Sequence, residues 1–308
     1  MKNVKTKKHA YRRNPYLNKK GTYQYMKRVK KIVQYYCEAT KKWLGDNITV
    51  VVMDTGMAMH PELKERAILF RDFVNGRPDF YDDNGHGTHV CGAIAGKTIG
   101  LAPKCNLIVL KVLDEMGNGD VTYSMRGFRW ILENQEKYNI RIVNISMGMK
   151  TGTNQVGEQR IMRGVEVLWG MGLIVVAAAG NLGPEEGSIT IPGRSKYAIT
   201  VGSLDIVRSG RGSYKNHIYK PELVVPGANI LSCNVDYQEG PMYVKKSGTS
   251  MSAPIVSGAA ALLLSKETNL TNEEVKRRLQ VACNDLRLSK TRQGSGLLSV
   301  RKLMNQKN

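Results

Sequence analysis

Three short segments of this chain carry side chains that acyl-transfer chemistry can use. Asp54 closes the apolar run VVVMDTG, His86 lies in NGHGTHVCGAIAG after a glycine-bearing turn, and Ser250 stands in SGTSMSAPIVSGAAALLL. A serine hydroxyl attacks a carbonyl only when a neighbouring base takes its proton, and an imidazole held by a carboxylate does this near neutral pH. A serine at a helix start also has free N–H groups and the positive dipole end beside it, which favour a developing oxyanion. Taken singly, each residue has an ordinary reading: a turn aspartate, a satisfied histidine, an N-cap serine. The order Asp, His, Ser separates this chain from hydrolases ordered His-Asp-Ser or Ser-Asp-His. Ser250 also lacks the G-x-S-x-G setting of the latter, because its neighbours read G-T-S-M-S.

The elements that must position these residues are legible in the hydrophobic pattern. The runs 48–53 (ITVVVM), 107–113 (LIVLKVL), 141–146 (RIVNIS) and 173–179 (LIVVAAA) are continuous rather than alternating. They predict strands covered on both faces, as in a parallel sheet. Residues 121–138 and 157–171 have the length of crossover helices, and 198–201 and 222–225 predict shorter strands. Residues 249–266 predict an apolar helix, and 271–281 a helix opened by a capping box from Thr271 to Glu274. Strands and helices in alternation imply an α/β class: a doubly wound, mostly parallel sheet flanked by helices, with its site at the carboxyl ends of the strands.

VVVMDTG, NGHGTHVCG and SGTSMSAP resemble the three active-site signatures of the subtilase family, and AAAGN (177–181) resembles the segment whose asparagine completes its oxyanion hole. The resemblance runs from about residue 45 to about residue 298. Its four motifs stand in family order, at intervals of 32, 95 and 69 residues. It implies a subtilisin-like serine endopeptidase. Ser250 would be the nucleophile, His86 the general base and acid, Asp54 the group that orients His86, and Asn181 the oxyanion donor. His89 and His60 would be structural, and Cys91 a packed small residue. By the same resemblance Ser146, Met147 and Gly148 line one wall of the primary specificity pocket and Ala178, Ala179 and Gly180 the facing wall. Leu113, Gly117, Gly119 and Val121 lie on the edge that pairs with an extended peptide. Small apolar walls imply a large apolar residue at P1, and the acids Asp82, Asp83, Glu185 and Glu186 would favour basic residues in neighbouring subsites.

Composition bounds the rest. The chain has 308 residues and a formal net charge of +20. Residues 1–45 hold fourteen Lys or Arg against one acid, Glu38, while the remainder holds 32 basic and 25 acidic side chains. The division expected is a basic N-terminal extension, 1–45, whose last part is a helix packed on the core, followed by a catalytic domain, 46–308. Interleaved tyrosines make the extension a candidate for nucleic-acid contact. That partner is disfavoured, since charge runs mark interaction tails without naming what they bind. A pseudoprotease is the other alternative, and it normally lacks a member of the catalytic set; none is missing here. No apolar run approaches ~18 residues, so no membrane span is expected. The basic start leads into no apolar segment, so a cytoplasmic setting is expected, with export by a non-signal route left open. Five cysteines without paired spacing suggest reduced thiols rather than a disulfide framework. Only KTIG separates the His86 helix from LAPKCNLIVLKVL, too short for the high-affinity calcium loop of many secreted members. No cofactor is therefore expected to be required, with a weaker structural calcium site left open. The extension is shorter than a folded pro-domain and resembles the short extensions with which intracellular bacterial subtilisins occlude their own sites. Residues 1 to about 25 are thus a candidate inhibitor, alongside a peptide or protein substrate.

Overall fold

The computed structural model describes residues 27–152, 154–214 and 218–306. Its centre is a nine-stranded sheet in the order β12-β13-β9-β6-β5-β4-β1-β3-β2. The strands are β1 (Thr49–Asp54), β2 (Ala67–Asp72), β3 (Asn106–Lys111), β4 (Ile140–Ile145), β5 (Ile174–Ala178), β6 (Ile199–Ser203), β9 (Leu223–Val225), β12 (Cys283–Asn284) and β13 (Leu297–Leu298). Every pairing is parallel except β12 with β13. Two antiparallel hairpins stand outside the sheet, β7 (Gly212–Tyr214) with β8 (Ile218–Lys220) and β10 (Ile230–Cys233) with β11 (Tyr243–Lys246).

β1 and β5 are buried along their whole length, and β3 and β4 at all but one residue each. That double-sided burial is why their sequences run apolar without alternation. On one face lie α3 (His86–Ala95) and α6 (Thr249–Lys266); on the other lie α4 (Val121–Asn134) and α5 (Gln155–Gly170). α6 is apolar on every side, and of its residues only Ser250 and Lys266 are not buried. β1 lies between β4 and β3, so its carboxyl end opens at the point where the strand order reverses. Ligand sites of doubly wound sheets form there, and Asp54 is the last residue of β1.

The chain enters through a helical stretch at 27–32, α1, and a short helix, α2 (Ala39–Lys42). Val29, Val33 and Tyr35 join the core beside Val300 and Leu303 of α9 (Val300–Asn305). The Val300 N–H donates to the Val33 carbonyl at 2.8 Å, and the Ser299 hydroxyl to Gln34 Oε1 at 2.7 Å. The part of the extension ahead of residue 27 lies outside the described residues. α7 (Asn272–Val281) starts with the capping box formed by Thr271 and Glu274. No helix among the described residues is long and apolar enough to cross a membrane.

Candidate active site

Asp54 is fully buried. Its Oδ1 accepts from the Thr55 N–H at 2.8 Å and lies 2.7 Å from His86 Nδ1. Its Oδ2 has no partner among the described residues. With the carboxylate on Nδ1, the ring's proton belongs there and Nε2 is left as the basic nitrogen. His86 is the first residue of α3, and a quarter of its side chain is exposed. Burial, the largest single influence, pulls its pKa down. The Asp54 carboxylate, by charge and by hydrogen bond, more than offsets this, so the pKa is raised above the usual value; Lys246 opposes the rise.

The helix start that aims His86 is built by Asp82. Gly85, at the N-cap with φ +83°, has no side chain to cap α3. The buried Asp82 carboxylate does so instead, accepting from the N–H groups of Asn84, Gly85 and Thr88 and from the hydroxyls of Thr55 and Thr88. The Thr55 hydroxyl in turn accepts from the Gly87 N–H at 2.9 Å, which joins the end of β1 to the first turn of α3. Asp83 is engaged too. Its carboxylate pairs at 2.7 Å with the fully buried ammonium of Lys111, which also donates to the carbonyls of Thr55 and Leu113 at 2.7 and 2.9 Å. Neither acid is the free subsite charge expected from the sequence: one caps a helix and the other neutralises a buried lysine.

Ser250, the second residue of α6, lines the same cleft of about 630 Å³ as His86. Beside it, Asn181 Oδ1 accepts from the Thr249 N–H at 3.0 Å and from its hydroxyl at 3.3 Å. With the amide oxygen so occupied, the Nδ2 hydrogens are the end of the side chain left to donate. Gly248 precedes this pair with φ +152°, and a Cβ there would lie 3.3 Å from Asn181 Nδ2, so the turn needs glycine.

Of the predicted substrate residues, Leu113, Gly117, Gly119, Val121, Ser146, Met147 and Gly148 line the cleft, and Leu113 bridges Gly119 in antiparallel fashion. Ala178, Ala179 and Gly180 are not part of that lining. Sequence reasoning missed Ser124, Phe128, Met149, Ile161, Ile191 and Pro192, which line it as well. It also missed Thr190. A Cβ on Gly148 would come within 2.2 Å of the Thr190 hydroxyl, and one on Gly180 within 2.5 Å, so this side chain fills the space between the two expected walls. Its Oγ1 is buried without a partner among the described residues.

The remaining candidates are structural. His89 Nε2 is 3.0 Å from the Ile230 carbonyl, and burial pushes its pKa down to about 3. His60 Nδ1 accepts from the Glu62 N–H at 3.1 Å within its own turn, and Nε2 lies 2.9 Å from the distant Met242 carbonyl. The Cys91 thiol is fully buried and pushed far up by that burial, which removes it as a nucleophile. All five cysteines are free thiols.

The sequence profile of the Subtilase family matches residues 45–296. The chain belongs to the subtilase family. Among its curated relatives, the serine protease AprX of Bacillus subtilis (strain 168) is 37% identical over 270 residues, covering 77% of this chain and 61% of AprX. A thermostable alkaline protease of Halalkalibacterium halodurans is 34% identical over 240 residues, covering 76% of this chain and 62% of the relative. This subtilase thus spans about three fifths of the length of those two relatives. It covers 90% of subtilisin Savinase of Lederbergia lenta, at 34% identity over 261 residues and 83% of its own length. A crystal structure of a cold-adapted subtilisin-like serine proteinase superposes with a TM-score of 0.70 at 30% identity, covering 84% of this chain and 90% of that one.

Proposed function

We propose that this subtilase is a serine endopeptidase that hydrolyses peptide bonds through an acyl-enzyme. The observation that carries the reading is the 2.7 Å contact of His86 Nδ1 with the buried Asp54 carboxylate, in a cleft that also holds Ser250. Ser250 Oγ attacks the scissile carbonyl as His86 Nε2 removes its proton. The tetrahedral oxyanion forms at the N-terminus of α6, where the Ser250 N–H and the Asn181 amide donate to it. His86 then gives its proton to the leaving amine, and a water repeats the sequence on the ester. The bound peptide runs as an added strand against the Leu113–Val121 edge and the Ser146–Gly148 wall. The Asp54 carboxylate, which raises the pKa of His86, stabilises the imidazolium of each step.

The test is hydrolysis of an internally quenched peptide by the wild type and Asp54→Asn. Because the amide cannot hold the ring in the same tautomer, kcat is expected to fall by ~10⁴, a scale borrowed from the analogous trypsin substitution. An Asp54→Asn rate within tenfold of wild type would reject the assignment.

We propose that no calcium ion is needed at the KTIG segment. What supports this is Glu62, the carboxylate facing it, which accepts from the Thr98 N–H and hydroxyl and the Tyr243 hydroxyl, each at 2.7 Å, with Lys30 close by. Protein donors take the place of a cation, and the residues present do not suit one there. Five free thiols favour a reducing, intracellular setting and a role in protein turnover or processing. The extension ahead of residue 27 is proposed as an inhibitor of the cleft; an unchanged peptidase rate after deleting residues 1–26 would overturn that.

A further inference from the structure

Lys246 ends β11, four residues before Ser250. Its ammonium lies 3.7 Å from the position a Cβ would take on Gly85, the residue that precedes His86, and Val235 Cγ1 lies 2.7 Å from the same point. The strand that leads to the nucleophile and the helix that starts with the base therefore meet at this lysine. His86 and Ser250 line the cleft, whereas Gly85, Val235 and Lys246 border His86 without being part of that lining.

The chemistry decides which half of a peptide passes there. The cleft holds the acyl half, whose carbonyl Ser250 attacks, and His86 must deliver its proton to the departing amine. The leaving half therefore runs past His86 and over Gly85 and Lys246. The ammonium is half-buried and makes no ion pair among the described residues. The carboxylates that face it at longer range are Asp54, Asp82 and Asp236. Asp54 is already bonded to Thr55 and His86, and Asp82 to five donors, while Asp236 is exposed on the β10–β11 turn. A cation with part of its water removed and no partner in contact favours an incoming carboxylate.

We propose that Lys246 is a specificity-determining residue that selects an acidic side chain, Asp or Glu, in the first or second residue of the leaving half. The proposal rests on the endopeptidase reading. One charge-assisted hydrogen bond corresponds to about tenfold in kcat/KM.

Quenched peptides with one acyl half and Asp, Ala or Lys at the first, then the second, leaving position test it at about pH 8. Competent enzyme is counted by fluorophosphonate titration, and a chromogenic anilide without a leaving-half residue serves as the reference for each protein. The wild type is expected to cleave the Asp peptide about tenfold faster than the Lys peptide at one position, Lys246→Met to level that ratio, and Lys246→Glu to reverse it. A wild-type ratio near one at both positions overturns the proposal without recourse to any variant, as does a wild-type ratio kept by Lys246→Met. If Lys246→Met does not fold, Lys246→Gln is read in its place by the same criteria. If neither the wild type nor a form lacking residues 1–26 cleaves the anilide or any peptide, the endopeptidase reading itself has failed; if only the shortened form is active, the same peptide ratios are read on it.

Discussion

Replacing Lys111 by Met keeps most of the side chain's length and deletes the ammonium that joins three parts of the site. In the wild type this fully buried group donates to the Thr55 carbonyl, the Leu113 carbonyl and Asp83 Oδ1 at 2.7, 2.9 and 2.7 Å. Thr55 follows Asp54, Leu113 is on the edge proposed to pair with the substrate, and Asp83 precedes the His86 turn. The substitution leaves a carboxylate and two carbonyls without their donor. Breaking a buried ion pair from one side costs ~3–5 kcal/mol. The Asp83 side chain is 30% exposed and regains water, so the lower end applies, about 3 kcal/mol. At ~2–4 °C per kcal/mol the thermal midpoint should fall by roughly 6–12 °C. Well below that midpoint, kcat/KM should drop more for extended peptides, which in the proposed binding mode run along the Leu113 edge, than for a single-residue ester. Adding Asp83→Asn should recover part of the lost stability, because the stranded charge is its main source. Scanning calorimetry and steady-state kinetics on the four proteins of this cycle are the assay. A midpoint within about 2 °C of wild type for Lys111→Met would refute the reasoning.

Further outcomes follow from the same contacts. His89 is held at about 3 by burial against an unfolded value near 6.5, so between these pH values the unfolded chain binds a proton the folded chain refuses. Stability should fall as pH drops through that window, by ~1.4 kcal/mol per unit; unfolding curves of the wild type and His89→Gln that stay parallel in pH would contradict this. Thr190→Gly empties the space between Gly148 and Gly180, so the Phe-to-Ala preference at P1 should rise by about tenfold, and an unchanged P1 profile counts against Thr190 as the floor of that pocket. Because the pKa of His86 is raised and its neutral form is the base, the acid limb of kcat/KM should lie above the usual histidine value. Lys246→Met, which removes an opposing charge, should move the limb higher still.

The central strands were legible because burial on both faces writes an uninterrupted apolar run: β1, β3, β4 and β5 lie within two residues of the segments read from sequence. The helix at 249–266 matches α6 at both ends, since an all-round apolar helix has no polar stripe to blur its limits. β2 escaped because it is an edge strand, only partly buried, whose apolar run AILF is short and breaks off into the charged pair Arg71-Asp72. The motifs single out Asp54, His86 and Ser250 as candidates, but the residues that support them are not legible there. Lys111 looks like an interruption of LIVLKVL, and only the return of the chain near Asp83 reveals its purpose. Asp82 caps a helix from four residues before it, across a glycine N-cap, which no local capping rule anticipates. Thr190 meets Gly148 and Gly180 only in the folded chain.

The most direct measurement is fluorophosphonate labelling with casein cleavage, on the wild type, Ser250→Ala and a form lacking residues 1–26, the adduct located by peptide mass mapping. The proposed chemistry predicts a single adduct on Ser250 and cleavage of casein by at least one Ser250-bearing form, with both lost in Ser250→Ala. An adduct elsewhere, or neither label nor cleavage in either Ser250-bearing form, would contradict it.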